Sequence, residues 1–209
     1  DGNVYALNAA SGAKVWSFGA HLTVDSSPAV AGGVVYVGSD DGNLYAIDAS
    51  SGVKRWSFSS GGDFYSSPAV ANGVVYAGSE DSNVYALDAA TGAEKWSYTT
   101  GDYVNSSPAV ANGVVYIGGI DDNVYALNAA TGAKLWSFTT GQIVLSSPAV
   151  ANHVVYIGSE DGSVYALNAA SGAKIWSFHT SNQVFASPTV VNGAVYVGSG
   201  DGNVYAFGL

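Results

Sequence analysis

The chain has 209 residues, 48% hydrophobic and 11% charged, enough apolar material for one sizeable core and too well mixed for disorder. Six Lys and Arg against 16 Asp and Glu give a net charge of −10, which repels phosphate backbones and anionic bilayers, so nucleic acid is not an expected partner. The absence of cysteine excludes disulfides, thiolate metal sites and thiol catalysis together. No apolar stretch approaches the roughly 20 residues that span a bilayer, and no basic-then-apolar leader opens the sequence, so membrane insertion is not expected.

In chain order, residues 3-8 and 14-18 read as the first two strands. The stretch 26–65 then supplies four short runs: Ser-Ser-Pro-Ala-Val, Val34 to Gly38, Asn43 to Asp48 and Lys54 to Phe58. Each is rich in β-branched and aromatic residues and bounded by Gly, Asn, Asp or Ser. Asp41-Gly42, Asp161-Gly162 and Asp201-Gly202 are hairpin dipeptides, with Asp122-Asn123 a weaker version. Ser-Gly or Thr-Gly at 11-12, 51-52, 91-92, 131-132 and 171-172 makes the next turn. The same unit then recurs, with Trp16, Trp56, Trp96, Trp136 and Trp176 in register and Pro28, Pro68, Pro108, Pro148 and Pro188 keeping the interval. Residues 187-191, 194-198 and 203-207 are the last three strands. A period of about 40 residues marks a toroid or array whose units bury their faces only against one another. Val114 to Ile117 is apolar on both faces, as expected of a sheet covered on both sides. The expectation is an all-β fold: a five-bladed β-propeller of four-stranded antiparallel blades, with repeats 1–40, 41–80, 81–120, 121–160 and 161–200 and a partial closing repeat 201–209. A β-solenoid is the runner-up.

The spacing Ala-x-(Asn/Asp)-x-x-(Ser/Thr)-Gly-x-x-x-Trp, from Ala6 to Trp16 and four times more up to Ala166 to Trp176, resembles the tryptophan-docking motif of pyrroloquinoline quinone (PQQ) repeat propellers. That family includes quinoprotein alcohol dehydrogenases and outer-membrane assembly lipoproteins of the BamB type. The resemblance implies that each Trp is a structural clasp lying against the neighbouring blade near Gly12, Gly52, Gly92, Gly132 or Gly172. It also implies that Ser-Ser-Pro-Ala-Val is the innermost strand of a blade and Lys-x-Trp-Ser-Phe the outermost, and that the protein works outside the cytoplasm, in the periplasm or at the cell surface.

Read this way, the chain holds twenty-one strands where a five-bladed ring takes twenty. The surplus is a duplicate, because Asp1 to Ala6 is repeated letter for letter as Asp201 to Ala206. The expectation is that one copy takes the slot and the other frays. The alternatives are that the spare copy pairs with another molecule, giving head-to-tail oligomers, or that the chain belongs to a larger propeller, the family's enzymes having eight blades.

The units diverge mainly at 19–25, 59–65, 99–105, 139–145 and 179–185, segments that connect an outer strand to the next inner strand and should gather on one face. They offer Asp25, Asp63, Tyr65, Asp102, Tyr103, Asn105, Gln142, Asn182 and Gln183, with Phe64, Leu145 and Phe185 as apolar partners. Such a face suits another protein surface, a peptide or a carbohydrate. Drift in unconstrained loops is the plain alternative. His21, His153 and His179 are scattered, with His153 standing where other units place a turn glycine. The acidic turns Asp40-Asp41, Glu80-Asp81, Asp121-Asp122 and Glu160-Asp161 offer calcium too few oxygens each. No Gly-x-Ser-x-Gly and no phosphate-binding loop is present. The resemblance brings a PQQ-dependent dehydrogenase to mind, but that enzyme's paired cysteines are missing. The function expected is therefore non-catalytic, a binding or assembly scaffold without cofactor.

Overall fold

A computed structural model describes residues 1–208 as twenty-one strands in six antiparallel sheets, with no helix among them. The first sheet pairs β1 (Asn3–Leu7) with β2 (Lys14–Gly19). The second holds β3 (Ala29–Ala31), β4 (Val34–Gly38), β5 (Asn43–Asp48) and β6 (Lys54–Ser59) in that order. The third repeats it with β7 (Ala69–Ala71), β8 (Val74–Gly78), β9 (Asn83–Asp88) and β10 (Glu94–Thr99). The fourth holds β11 (Ala109–Ala111), β12 (Val114–Gly118), β13 (Asn123–Asn128) and β14 (Lys134–Thr139). The fifth is β15 (Ala149–Ala151), β16 (Val154–Gly158), β17 (Ser163–Asn168) and β18 (Lys174–His179). The last has only β19 (Thr189–Val191), β20 (Ala194–Gly198) and β21 (Val204–Gly208).

Two-residue periodicity explains how the sheets stack. In β5, Leu44 and Ala46 point toward the third sheet and join Val75, Ala77, Tyr85 and Leu87 in one buried cluster. Tyr45 and Ile47 point the other way and pack with Val4 of the first sheet. Runs apolar on both faces are thus buried on both faces, and β4 is buried throughout. The turn before each third strand needs a left-handed residue, supplied by Gly42, Ser82, Asp122 and Gly162. The short inner strands β3, β7, β11, β15 and β19 lie beside one another. The outer strands form the rim, and they carry all six Lys and Arg: Lys14, Lys54, Arg55, Lys95, Lys134 and Lys174. A charged edge strand discourages pairing with another chain.

Each indole reaches forward to the next sheet. Trp56, Trp96 and Trp136 donate their Nε1–H to the carbonyls of Ala89, Ala129 and Ala169 at 2.9 to 3.0 Å. Their rings lie on the left-handed turn glycine of that sheet, where a Cβ added to Gly92, Gly132 or Gly172 would sit within 2.8 Å of ring carbons. Trp16 makes the same contacts with Ala49 and Gly52. Gly12 departs from this pattern, having nothing within 4 Å of its Cβ position, because no sheet precedes it in the stack.

Closure also departs from the expectation. Neither copy of the duplicated segment frays: β1 is ordered against β2, and β21 against β20. Among the described residues no backbone pairing joins the first sheet to the last. Tyr5 and Leu7 at one end of the stack, and Tyr196 and Val204 at the other, are exposed.

Candidate functional site

The five variable segments occupy one side of the stack because each is tied to two neighbouring sheets. Phe64, Val104, Val144 and Val184 donate their backbone N–H groups to Ser39, Ser79, Gly119 and Ser159 in the turn of the preceding sheet, at 3.0 to 3.2 Å. On the other side, Asp81, Asp121 and Asp161 in the following sheet accept the N–H of Gly61, Gly101 and Gly141, while Asp41 and Asp201 accept those of His21 and Ser181. The same aspartates accept the hydroxyls of Tyr45, Tyr85, Tyr125, Tyr165 and Tyr205. Burial opposes ionisation of Asp41, Asp81 and Asp161, yet these hydrogen bonds outweigh it and hold the three carboxyls below the usual range. Burial and the Asp161 hydrogen bond push Tyr165 up to about 12. Asp41, Asp81, Asp121, Asp161 and Asp201 are therefore committed to holding the scaffold together.

The residue before each of these aspartates faces the segments. Asn105 Nδ2 donates to Glu80 at 3.1 Å, and Gln183 Nε2 to Glu160 at 2.9 Å. Asp40 lies close enough to Asp25, Asp63 and Glu80 that desolvation and then these like charges raise its pKa. The Asp40 charge, followed by burial and the other carboxylates, raises that of Tyr65. Asp40 Oδ1 and Asn105 Oδ1 are shielded from solvent and find no hydrogen-bond partner. Sequence reading placed these turn residues apart from the binding face. Their variation from unit to unit, Asp40, Glu80, Ile120, Glu160 and Gly200, was the available signal.

Of the twelve residues expected on this face, Asp25, Tyr65, Asp102, Tyr103, Gln142, Asn182 and Phe185 are exposed. Asp63, Asn105, Leu145 and Gln183 are half-buried. Phe64 is a correction, because its ring is fully buried in the core. Val104, Val144 and Val184 take the equivalent buried position, pressed so closely on the second strand that a Cβ on Gly78 would fall 2.4 Å from Val104. Gln142, Glu160, His179, Asn182 and Gln183 line a groove of about 440 Å³, and His21, Leu22, Asp40 and Asp63 another of about 370 Å³. A larger groove of about 600 Å³ lies away from the segments, between the second and third sheets, where Arg55 and Lys95 pair internally with Asp48 and Asp88. Of the 16 acidic residues, only Asp1, Asp48, Asp88 and Glu94 lie off the segments and turns, and no Lys or Arg lies on them. The loop surface is anionic while the rim carries the cations.

The chain has no cysteine, and among the described residues no three of His, Asp or Glu converge in ligating geometry.

The sequence profile of a family described as outer membrane protein assembly factor BamB matches residues 1–119 and again residues 99–208. Among solved structures, BamB from Moraxella catarrhalis is similar at 25% identity and a TM-score of 0.82, covering 94% of this chain and 62% of that one. The computationally designed Ika8 protein superposes over 100% of this chain and 66% of its own, with a TM-score of 0.90 at 19% identity. Quinohemoprotein alcohol dehydrogenase ADHIIG from Pseudomonas putida HK5 gives 22% identity and a TM-score of 0.74 over 90% of this chain and 41% of the enzyme. The chain thus spans under two thirds of the BamB structure. Among curated protein sequences nothing matches it.

Proposed function

Because the chain belongs to the BamB-like PQQ-repeat family, we propose that it is a non-catalytic scaffold for protein binding or assembly, acting outside the cytoplasm. The observation that carries this reading is the loop surface. Five segments of different sequence are held by recurring backbone bonds on one side of the stack, with Tyr65, Tyr103 and Phe185 projecting among carboxylates and amides. Rigid scaffolds with variable loops place binding there, and exposed aromatics are favoured anchors. The negative charge of that surface selects a partner that presents Lys or Arg.

Site-specific photocrosslinking tests this in cells expressing the chain. A crosslinker at Tyr103 should capture a discrete protein in the envelope fraction, and one at rim residue Val53 should not. Equal capture at both positions, or none at Tyr103, would contradict the reading. Dye reduction after addition of PQQ and calcium would contradict its non-catalytic part.

A further inference from the structure

Successive complete sheets meet through a recurring set of bonds. Ser27, Ser67, Ser107 and Ser147 donate their backbone N–H to the hydroxyls of Ser67, Ser107, Ser147 and Ser187, each one sheet further along, at 2.8 to 3.0 Å. Tyr36, Tyr76 and Tyr116 donate their hydroxyls to the carbonyls of Ala89, Ala129 and Ala169, which also receive the indoles. At the ends the two halves of this set stand apart. Ala49 O receives Trp16 but no tyrosine, and Ser27 Oγ receives no backbone N–H. Among the described residues, neither the Tyr196 hydroxyl nor the Ser187 N–H has a partner. Tyr196 is 41% exposed against 3% for its four equivalents, and Val204 is 75% exposed where the interior residues are fully buried.

We propose that the last sheet receives the second sheet of another copy of this chain. The β2 strand of that copy adds to β21 as its fourth strand and its β1 is released, so that copies join head to tail. The register is already written. Residues 1–6 and 201–206 are identical, so the pairing Val4↔Phe18, Tyr5↔Ser17 and Ala6↔Trp16 is available to Val204, Tyr205 and Ala206 without change. The C-terminal copy is the better tethered. Asp201 accepts both the Tyr205 hydroxyl and the Ser181 N–H, whereas Asp1 accepts the Tyr5 hydroxyl and no bond from another sheet. In its new place Val204 covers Val35, Val37, Tyr45 and Ile47 as Val4 does, and Tyr196 reaches the Ala49 carbonyl. A second copy, not the chain's own first sheets, is the occupant because among the described residues no backbone pairing joins the first sheet to the last and both end faces remain exposed. Contacts of this head-to-tail kind, between different faces of the same chain, build open series unless the rotation closes. The inference is independent of what the loop surface binds.

Size-exclusion chromatography with light scattering over a range of concentrations tests it. The chain should exceed its 21.2 kDa monomer mass as concentration rises. The double variant Tyr196→Asp, Val204→Asp alters only side chains exposed in the monomer. It should retain the parent's melting curve in dilute solution and need about a hundredfold higher concentration to associate. Deleting residues 201–209 should abolish association, and deleting residues 1–6, which removes the competing strand, should strengthen it. A constant monomer mass for the parent chain, association unchanged in the double variant, or association weakened by loss of residues 1–6 would each overturn the proposal.

Discussion

The interior and terminal sheets are written in nearly the same letters and behave differently. Asn-Val-Tyr-Ala-Leu occurs in β1, β9 and β13, but Tyr5 is 47% exposed and Leu7 59%, while Leu87 and Leu127 are fully buried. Propensity is the same in all three places, so the difference belongs to the neighbours. Burial here is a property of the stack, and a sheet acquires it by having a sheet on either side.

The largest expected effect is at the indoles. Trp96→Ala leaves a cavity between two complete sheets and should cost about 3–5 kcal/mol, while Trp176→Ala, at a half-buried site against Phe207, should cost about half as much in urea denaturation. Equal losses would break the comparison. Next come the glycines beneath the rings. Gly132→Ala combines a left-handed backbone with a Cβ placed 2.8 Å from the Trp96 ring and should cost about 2–4 kcal/mol. Gly12→Ala has the same backbone sign and empty space around it, so its cost should be about 1–2 kcal/mol.

The turn aspartates sharpen the comparison through pH. Burial tends to raise the Asp81 pKa, but hydrogen bonds from Tyr85, Gly61 and Asn83 bring it below its ordinary value. A carboxyl lowered by folding stabilises the protein above the unfolded pKa, and that contribution is lost as pH falls through the folded value. The melting temperature should therefore hold through neutral pH and fall below about pH 4, with a shallower fall in Asp81→Asn. The smallest effect has the opposite sign. Asp40 is raised by desolvation and by Asp25, Asp63 and Glu80, so Asp40→Asn should stabilise at pH 7 by less than about 1 kcal/mol, screening by solvent limiting it. The gain should disappear once acid protonates the native side chain.

The strands were legible because the period is local. β-branched and aromatic runs, turn dipeptides and two-sided apolar stretches gave the four-strand unit and the count of twenty-one, although the inner strand begins at Ala29, three residues after the expected Ser26. Closure was not legible, since strand counting says how many slots exist and nothing about the angle between one sheet and the next. The duplicate segment could be read as a spare only under an assumed ring size. Phe64 was misplaced for a different reason. Its segment varies, and variation drew it to the binding face, whereas the apolar residue kept at Val24, Phe64, Val104, Val144 and Val184 marks a position that plugs the core. The turn residues Glu80 and Glu160 were weighed only against calcium, for which each turn has too few oxygens. Their meeting with Asn105 and Gln183 depends on segment and turn stacking across sheets, which no single repeat displays.

Residue-resolved amide hydrogen exchange in dilute solution puts the central claim to the most direct test. Identical pentapeptides in β1, β9 and β13 have the same intrinsic chemistry, so protection there reports neighbours alone. The amides of Tyr85 and Tyr125 should exchange only on global unfolding, and that of Tyr5 by local opening, far faster. Equal protection in all three would show that the end sheet is covered as the interior is, and would contradict the account.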